Sequence, residues 1–244
     1  MKIPGSKGRG DSIVSVRKCF GPTCGTGFWL AAASILICFG ACYPSKPLFS
    51  PPPAQVTSIE GYASLSLTRR NETARARLSF LFQVPQPGYI EIQDTLGRTS
   101  ARLWIGEDGA LLVLPSEKVY WRAGQEEAVD KLLGFSLGLE EITAILQGRW
   151  SQLKGWDLKM DERQRLIEAR RDSLRVEVRR FFGTTSLPQQ MRLSQDGDRG
   201  NLRLLRLRFN QPLKKGAFDL SFLEAKGYRA CGWEEIERLL RNED

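Results

Sequence analysis

Residues 76–84 decide the fold: Ala76-Arg77-Leu78-Ser79-Phe80-Leu81-Phe82-Gln83-Val84. Large apolar side chains recur here at every second position, which places Leu78, Phe80 and Phe82 on one face of a β-strand. The run ends at Pro85-Gln86-Pro87-Gly88, a composition that favours a turn. The stretch therefore predicts a strand with one buried face, as in an antiparallel sheet.

The same alternation recurs on both sides of this strand. Short turn sequences such as Glu107-Asp108-Gly109 separate the alternating segments, and strands joined so tightly must be antiparallel. The predicted strands lie near 63–68, 78–84, 90–93, 101–105, 111–114, 118–122, 164–170, 174–179, 191–193, 202–209 and 218–222. About ten antiparallel strands form a sheet large enough to curl into a half-barrel.

The apolar period changes from two to that of a helix at three places. Residues 125–133 and 139–147 carry apolar stripes at helical spacing, and residues 233–241 have acidic side chains early and arginines late, as the helix dipole prefers. The predicted fold class is therefore mainly β (α+β): a curled antiparallel half-barrel whose helices cap an apolar cavity. Such a hollow is a natural site for an apolar ligand.

The N-terminal residues indicate export. An apolar run at 28–37 fits the core of a secretory signal, and the small residues Gly40 and Ala41 precede Cys42 as a lipoprotein signal peptidase requires. We expect a signal peptide at 1–41, a proline-rich tether at 42–56 and one domain at 57–244, with a diacylglycerol and an acyl group on Cys42. An uncleaved anchor, or a signal peptide cut elsewhere, remains the alternative.

Composition narrows the class of protein. Removing residues 1–41 takes away five basic residues and one acidic residue, so the net charge falls from +8 to +4. A modest surplus spread over the chain does not indicate nucleic-acid binding. The chain has no histidine, and Cys231 would be the only cysteine besides Cys42 in the mature protein. We therefore expect no enzyme activity, no metal and no cofactor.

The order of several weak patterns resembles a known family. The opening strand Gly61-Tyr62-Ala63-Ser64-Leu65 is followed by the strand at 76–82 and by the turn Thr95-Leu96-Gly97-Arg98-Thr99. Two helices come next, and the second ends at Leu146-Gln147-Gly148. In this order, residues 60–148 resemble the LolB family of outer-membrane lipoprotein receptors and, more distantly, the LolA family of periplasmic carriers.

The resemblance implies a half-open barrel whose hollow accepts the acyl chains of lipoproteins or phospholipid. It also implies that Leu96 is the protruding leucine that helps to pass the cargo into the outer membrane. The expected location is the periplasmic face of the outer membrane, with a LolA-like carrier as a partner and the protein as a monomer. Tyr43 in place of the aspartate linked to inner-membrane retention agrees with that location.

Apolar side chains on the first strands and on the second helix are the predicted cavity residues. These are Leu78, Phe80, Phe82, Ile90, Ile92, Leu103, Ile105, Leu112, Leu114, Trp121, Ile142, Ile145 and Leu146. The same pattern also suits a solid core, and Leu96 also suits an ordinary hairpin. Two other functions therefore stay open: a structural or assembly lipoprotein of the envelope with a protein partner, and an envelope enzyme.

Overall fold

One curled sheet of thirteen strands organises the part of the chain that the structure describes. The computed structural model describes residues 48–69, 72–94, 96–213 and 216–241. The predicted signal peptide, Cys42 and the first part of the tether lie outside these ranges. Within them, no helix is long and apolar enough to cross a bilayer.

The strands and helices have the following bounds. The strands are β1 (Leu48–Phe49), β2 (Ser58–Arg69), β3 (Glu72–Gln83), β4 (Gly88–Gln93), β5 (Thr99–Gly106), β6 (Gly109–Leu114), β7 (Val119–Ala123), β8 (Asp157–Met160), β9 (Leu166–Arg171), β10 (Leu174–Phe181), β11 (Pro188–Gln195), β12 (Asp198–Phe209) and β13 (Arg229–Ala230). The helices are α1 (Gln125–Leu133), α2 (Leu139–Gln147), a 3₁₀ turn (Trp150–Gln152), α3 (Phe222–Ala225) and α4 (Trp233–Arg241).

The sheet has two ends that do not meet. Its strand order is β13-β7-β6-β5-β4-β3-β2-β12-β11-β10-β9-β8, and β1 pairs with β12 outside this path. The pairings of β1 with β12 and of β13 with β7 are parallel, whereas the others are antiparallel. The predicted mainly-β half-barrel is confirmed.

The central seam of the sheet joins its N-terminal and C-terminal parts. There β2 pairs with β12 over ten residue pairs, and Leu65 lies opposite Leu202. On the other side of β2, Gly61 lies opposite Phe80 of β3. A Cβ atom at position 61 would collide with the Phe80 ring and would lie 2.7 Å from the carbonyl oxygen of Arg206. Glycine is therefore required where the seam is most crowded.

Helices α1 and α2, which together we call the cap, have defined ends. Gly134 and Gly148 follow α1 and α2 in the left-handed conformation that terminates helices. At the start of α2, a carboxylate oxygen of Glu141 accepts a hydrogen bond from the backbone nitrogen of Gly138 at 3.1 Å. The helices at 125–133, 139–147 and 233–241 have the predicted bounds, and in the first two strong periodicity coincides with a glycine at the end of the helix.

The C-terminal segment covers part of the outer face of the sheet. Trp104, Leu111 and Val113 point away from the main core and form a second buried cluster with Leu223. The predicted strand at 218–222 is therefore wrong: the segment forms turns that lead into α3. Its apolar side chains pack on the sheet from outside, as in the ring contact between Phe222 and Trp104 at 5.5 Å between centroids.

The sheet also has three strands that the sequence pattern does not reveal. β1 and β13 have two residues each and β8 has four, so they are too short to show an alternation of apolar and polar residues. Each is added to a strand that the pattern does predict. The count of about ten strands is therefore right for the strands that build the core.

Candidate functional site

A small apolar cavity lies between the concave face of the sheet and the α1–α2 pair. Its volume is about 90 Å³, and every side chain that lines it is apolar. Seven predicted residues line it: Leu78, Phe80, Phe82, Ile90, Ile142, Ile145 and Leu146. The structure thus brings the strand and helix candidates together at one place, which we name the inner cavity.

The other predicted cavity residues lie elsewhere. Ile92 lines a second, larger opening, which is described below. Five are buried in the main core of β5, β6 and β7 without lining the inner cavity: Leu103, Ile105, Leu112, Leu114 and Trp121. The reason is geometric, because β6 and β7 pack against α1 and the Trp121 ring lies 4.9 Å from that of Trp233.

Several cavity residues were missed by the sequence analysis. They come from the second part of the sheet and from the connection between the two helices: Val176, Met191, Leu193, Leu202, Phe135 and Leu137. The strand residues alternate with polar neighbours, so the sequence indicates that they share one face of the sheet. It does not indicate that this face of β10, β11 and β12 points towards the cavity. Phe135 and Leu137 follow Gly134 in a loop, where no period predicts orientation.

An outer cleft of about 810 Å³ adjoins the inner cavity. The two share Leu65, Leu78 and Leu133, so the apolar lining runs from one to the other. From α4, Trp233 and Leu240 line the outer cleft. The outer cleft and the inner cavity are therefore neighbouring spaces separated by shared apolar side chains.

Arg69 holds the rim of the outer cleft together. Its Nε donates to a carboxylate oxygen of Asp198 at 2.8 Å, and its Nη2 donates to the carbonyl oxygen of Asp130 at 3.1 Å. One side chain at the end of β2 thus connects the start of β12 to the last turn of α1. The rim is polar, whereas the interior is apolar.

The connection between α1 and α2 is fixed to the sheet by polar contacts. The backbone nitrogen of Ser136 donates to Gln195 Oε1 at 2.8 Å, and Arg171 Nη2 donates to the carbonyl oxygen of Ser136 at 2.6 Å. Arg171 also forms an ion pair with Glu141, which accepts a hydrogen bond from Trp156 Nε1 at 2.8 Å. The cap is therefore held to the sheet along the side of β9 and β11.

Leu96 lies at the tip of the β4–β5 hairpin and is 76% exposed, the most exposed of the large apolar side chains described. Asp94 orders this tip, since its Oδ1 accepts hydrogen bonds from the backbone nitrogens of Leu96 and Arg98, each at 2.9 Å. These bonds, foremost the one from the Arg98 backbone, lower the pKa of Asp94. The hairpin therefore presents an isolated leucine on an ordered turn.

The ionisable groups of the structure do not assemble a reactive centre at the inner cavity. Burial raises the pKa of the Cys231 thiol, and Glu235 adds to that rise. Burial and the carboxylate of Glu91 raise the pKa of Tyr89, which lies on the outer face. Within the described ranges, no cluster of three or more His, Cys, Asp or Glu side chains could hold a metal. The chemistry that the site offers is apolar contact.

The solved structures that are similar to this chain include the following three. A DUF1329 family protein from Desulfovibrio piger has a TM-score of 0.51 and 13% identity, over 70% of this chain and 92% of that one. A putative outer membrane lipoprotein-sorting protein domain from Vibrio parahaemolyticus has a TM-score of 0.47 and 12% identity, over 70% and 93%. A LolA superfamily protein from Nitrosomonas europaea has a TM-score of 0.47 and 9% identity, over 68% and 91%.

The family of this chain is identified by a sequence-family model and not by the three structural similarities. No curated protein matches the chain by sequence. The model of the outer membrane lipoprotein LolB matches residues 58–211, which run from the start of β2 to just beyond β12 and include both cap helices. The match covers more than half of the chain and all of the inner cavity. The chain therefore belongs to the LolB family of outer membrane lipoproteins.

Proposed function

We propose that this protein is a receptor that binds the acyl chains of lipoproteins beneath the α1–α2 cap and helps to insert them into the outer membrane. The observation that carries the proposal is the inner cavity, whose lining is wholly apolar and which lies beside the outer cleft. Lipid on Cys42 would anchor the protein to the periplasmic face of that membrane. A LolA-like carrier would deliver the cargo.

The size of the inner cavity sets a condition on binding. A cavity of about 90 Å³ is smaller than the ~150 Å³ cavity that admits benzene in a protein core. A chain of about 14 to 16 carbons must therefore displace the cap. Burying such a chain yields about 0.8 kcal/mol per methylene, or on the order of 10 kcal/mol before ordering costs. That gain would offset part of the cost of moving the two short helices.

Leu96 has a separate role in the proposal. An exposed leucine on an ordered turn can enter the boundary of a bilayer without unfolding the hairpin that carries it. The inner cavity would hold the cargo, and the tip would bring the protein into contact with the acceptor membrane. Binding and release would thus depend on different residues.

The test is uptake and transfer of a fluorescent triacylated lipopeptide by the full chain. Ala63→Leu fills the inner cavity, whereas Ala169→Leu adds the same bulk at a buried site outside its lining. We expect Ala63→Leu to reduce uptake at least tenfold and Ala169→Leu to retain it, in samples whose melting temperatures show that both fold. We expect Leu96→Glu to load normally and to lose transfer to liposomes.

The opposite results would favour a different function. If the wild-type protein takes up no lipopeptide, the small inner cavity belongs to a solid scaffold, and the protein is a structural or assembly lipoprotein with a protein partner. Equal uptake by Ala63→Leu and the wild type would place the ligand elsewhere. Unchanged transfer by Leu96→Glu would remove the tip from the mechanism.

A further inference from the structure

The outer face of the central strands carries a group of exposed arginines. Arg75 and Arg77 lie on β3, Arg199 and Arg203 on β12, and Arg192 on β11. The strand register places them side by side across β2: Arg77 and Arg203 both lie opposite Ser64, one on each side. We name these five residues the arginine face.

The guanidinium groups of the arginine face are not neutralised by neighbouring carboxylates. Among the residues that the structure describes, none of the five forms an ion pair. Arginines farther along the sheet are paired, as Arg102 is with Glu91 and Arg175 with Glu168. The charge of the arginine face is therefore available to a ligand.

A groove of about 410 Å³ runs between the arginines. Ser64 and Ser66 of β2 lie in it, with Arg75 and Arg77 on one side and Arg203 on the other. Two strand spacings separate β3 from β12, or about 10 Å. Short hydroxyl side chains between two rows of guanidinium groups leave room for phosphate groups, which arginine binds in a bidentate manner.

The arginine face is distinct from the acyl pathway. Its residues alternate along β3 and β12 with Leu78 and Leu202, which line the inner cavity, so they project from the opposite side of the sheet. Elsewhere on the outer side, the C-terminal segment covers the apolar cluster around Trp104. In contrast, the arginine face is exposed among the residues that the structure describes.

We propose that the arginine face docks the protein on the anionic phospholipid of a bilayer, with Leu96 directed towards that bilayer. Arg77 lies opposite Gln93, the last residue of β4, and the hairpin tip with Leu96 follows within three residues. An apolar tip beside exposed guanidinium groups is the combination that an anionic membrane surface favours. The face spans four strands, which suits an array of headgroups better than one ligand.

The length of the chain before β1 agrees with this occupant. Cys42 precedes Leu48 by six residues, which span at most about 21 Å when fully extended. Leu48 pairs with β12 at Arg206, on the strand that carries Arg199 and Arg203. A lipid on Cys42 would thus keep the arginine face close to the membrane; this step and the orientation of Leu96 rest on the proposed function.

The experiment measures binding of the full chain with Cys42→Ser to vesicles of phosphatidylcholine with and without 30% phosphatidylglycerol. The apolar run at 28–37 is present in every variant, so the readout is the ratio of the two affinities and its dependence on salt. We expect the Cys42→Ser protein with all arginines in place, which serves as the wild type here, to prefer anionic vesicles at least tenfold at low salt. In the same background, Arg75→Gln/Arg77→Gln/Arg203→Gln should lose that preference.

The matched control is Lys154→Gln/Lys159→Gln/Arg163→Gln, which removes the same charge from exposed residues before, within and after β8. It should keep the preference. Absence of a preference in the wild type, or equal loss in both triple variants, would overturn the proposal. Arginine-dependent binding of polyglutamate without any preference among vesicles would overturn it in favour of an acidic protein partner.

The lipopeptide assay keeps this inference separate from the proposed function. If the protein takes up no lipopeptide but its preference for anionic vesicles depends on the three arginines, the docking surface stands and the receptor role fails. Normal uptake without that preference gives the reverse result.

Discussion

At the scale of single residues, Leu96 and Asp94 show how the exposed tip is maintained. A leucine that is 76% exposed contributes little to folding, so its orientation depends on the turn that carries it. Asp94 supplies that order through hydrogen bonds from two backbone nitrogens and from Arg98 Nε, the last at 2.8 Å. The side chain at the tip and the carboxylate that orders it therefore form one unit.

The order of the tip should depend on pH. The pKa of Asp94 is lowered in the folded protein, so its contribution is present above the ordinary aspartate pKa of about 3.9 and is lost as the pH falls through the folded value. We expect the amides of Leu96 and Arg98 to shift in NMR spectra with an apparent pKa below 3.9. In Asp94→Ala this titration should be absent, and both amides should exchange faster at pH 7.

A titration in Asp94→Ala that matches the wild type would show that another carboxylate orders the turn. Asp161 provides an internal comparison, since it accepts hydrogen bonds from the backbone nitrogens of Arg163 and Arg165 and its pKa is likewise lowered, foremost by the Arg165 backbone. Its transition should persist in the variant.

At the scale of elements, α2 depends on a single carboxylate. Glu141 accepts hydrogen bonds from the backbone at the start of the helix and from Trp156, and it forms an ion pair with Arg171 of β9. Since α2 supplies Ile142, Ile145 and Leu146 to the inner cavity, Glu141 fixes the position of the cavity roof.

Glu141→Gln should loosen the roof without removing the helix. The amide keeps an acceptor oxygen but loses the charge that attracts Arg171, and a partly buried pair of this kind contributes more than an exposed one. We expect a loss of about 1–2 kcal/mol in urea unfolding, and faster uptake of lipopeptide by the folded protein. Glu140→Gln is the matched control, because Glu140 forms no ion pair within the described residues.

A result in which both glutamate variants unfold alike would mean that the position of the cap does not depend on this contact. If Glu141→Gln is destabilised but takes up lipopeptide at the wild-type rate, then loosening α2 does not make the inner cavity easier to enter.

The elements also show what the sequence predicted and why. Helices and core strands have strong periods and clear turn residues, so their presence follows from the sequence. The bounds of the strands follow less well, since β2 and β3 begin five and six residues before the predicted starts. The segment at 218–222 has the alternation of a strand, yet it packs on Trp104 from outside the sheet. The spacing of apolar residues does not distinguish a strand that pairs within a sheet from a segment that covers the face of one. Which inward residues line a cavity depends on where α1 and α2 lie, and no local pattern contains that information.

At the scale of the whole molecule, the residues beyond the family match complete the core. The match ends at 211, yet Ile236 of α4 is fully buried in the main core and Leu223 is buried in the outer cluster. β13 extends the sheet beyond β7, and α4 lines the outer cleft. The C-terminal segment is therefore a structural part of the domain.

Ile236→Ala tests this role. Removing a fully buried isoleucine side chain should cost about 2–4 kcal/mol, because the cavity left behind adds to the lost burial. Leu240→Ala on the same helix should cost less than about 1 kcal/mol, since Leu240 is 38% exposed. Urea denaturation of both variants measures the difference, and equal small losses would show that α4 is only loosely attached.

The unclosed sheet has a consequence for aggregation. Each free edge of a sheet is a template on which a foreign strand can add, and this liability leads to aggregation. Here one edge, β13, has only two residues, and the other, β8, has four and exposes Asp157 and Lys159. Short and charged edge strands discourage such addition, so the sheet can remain unclosed without pairing with the strands of other proteins.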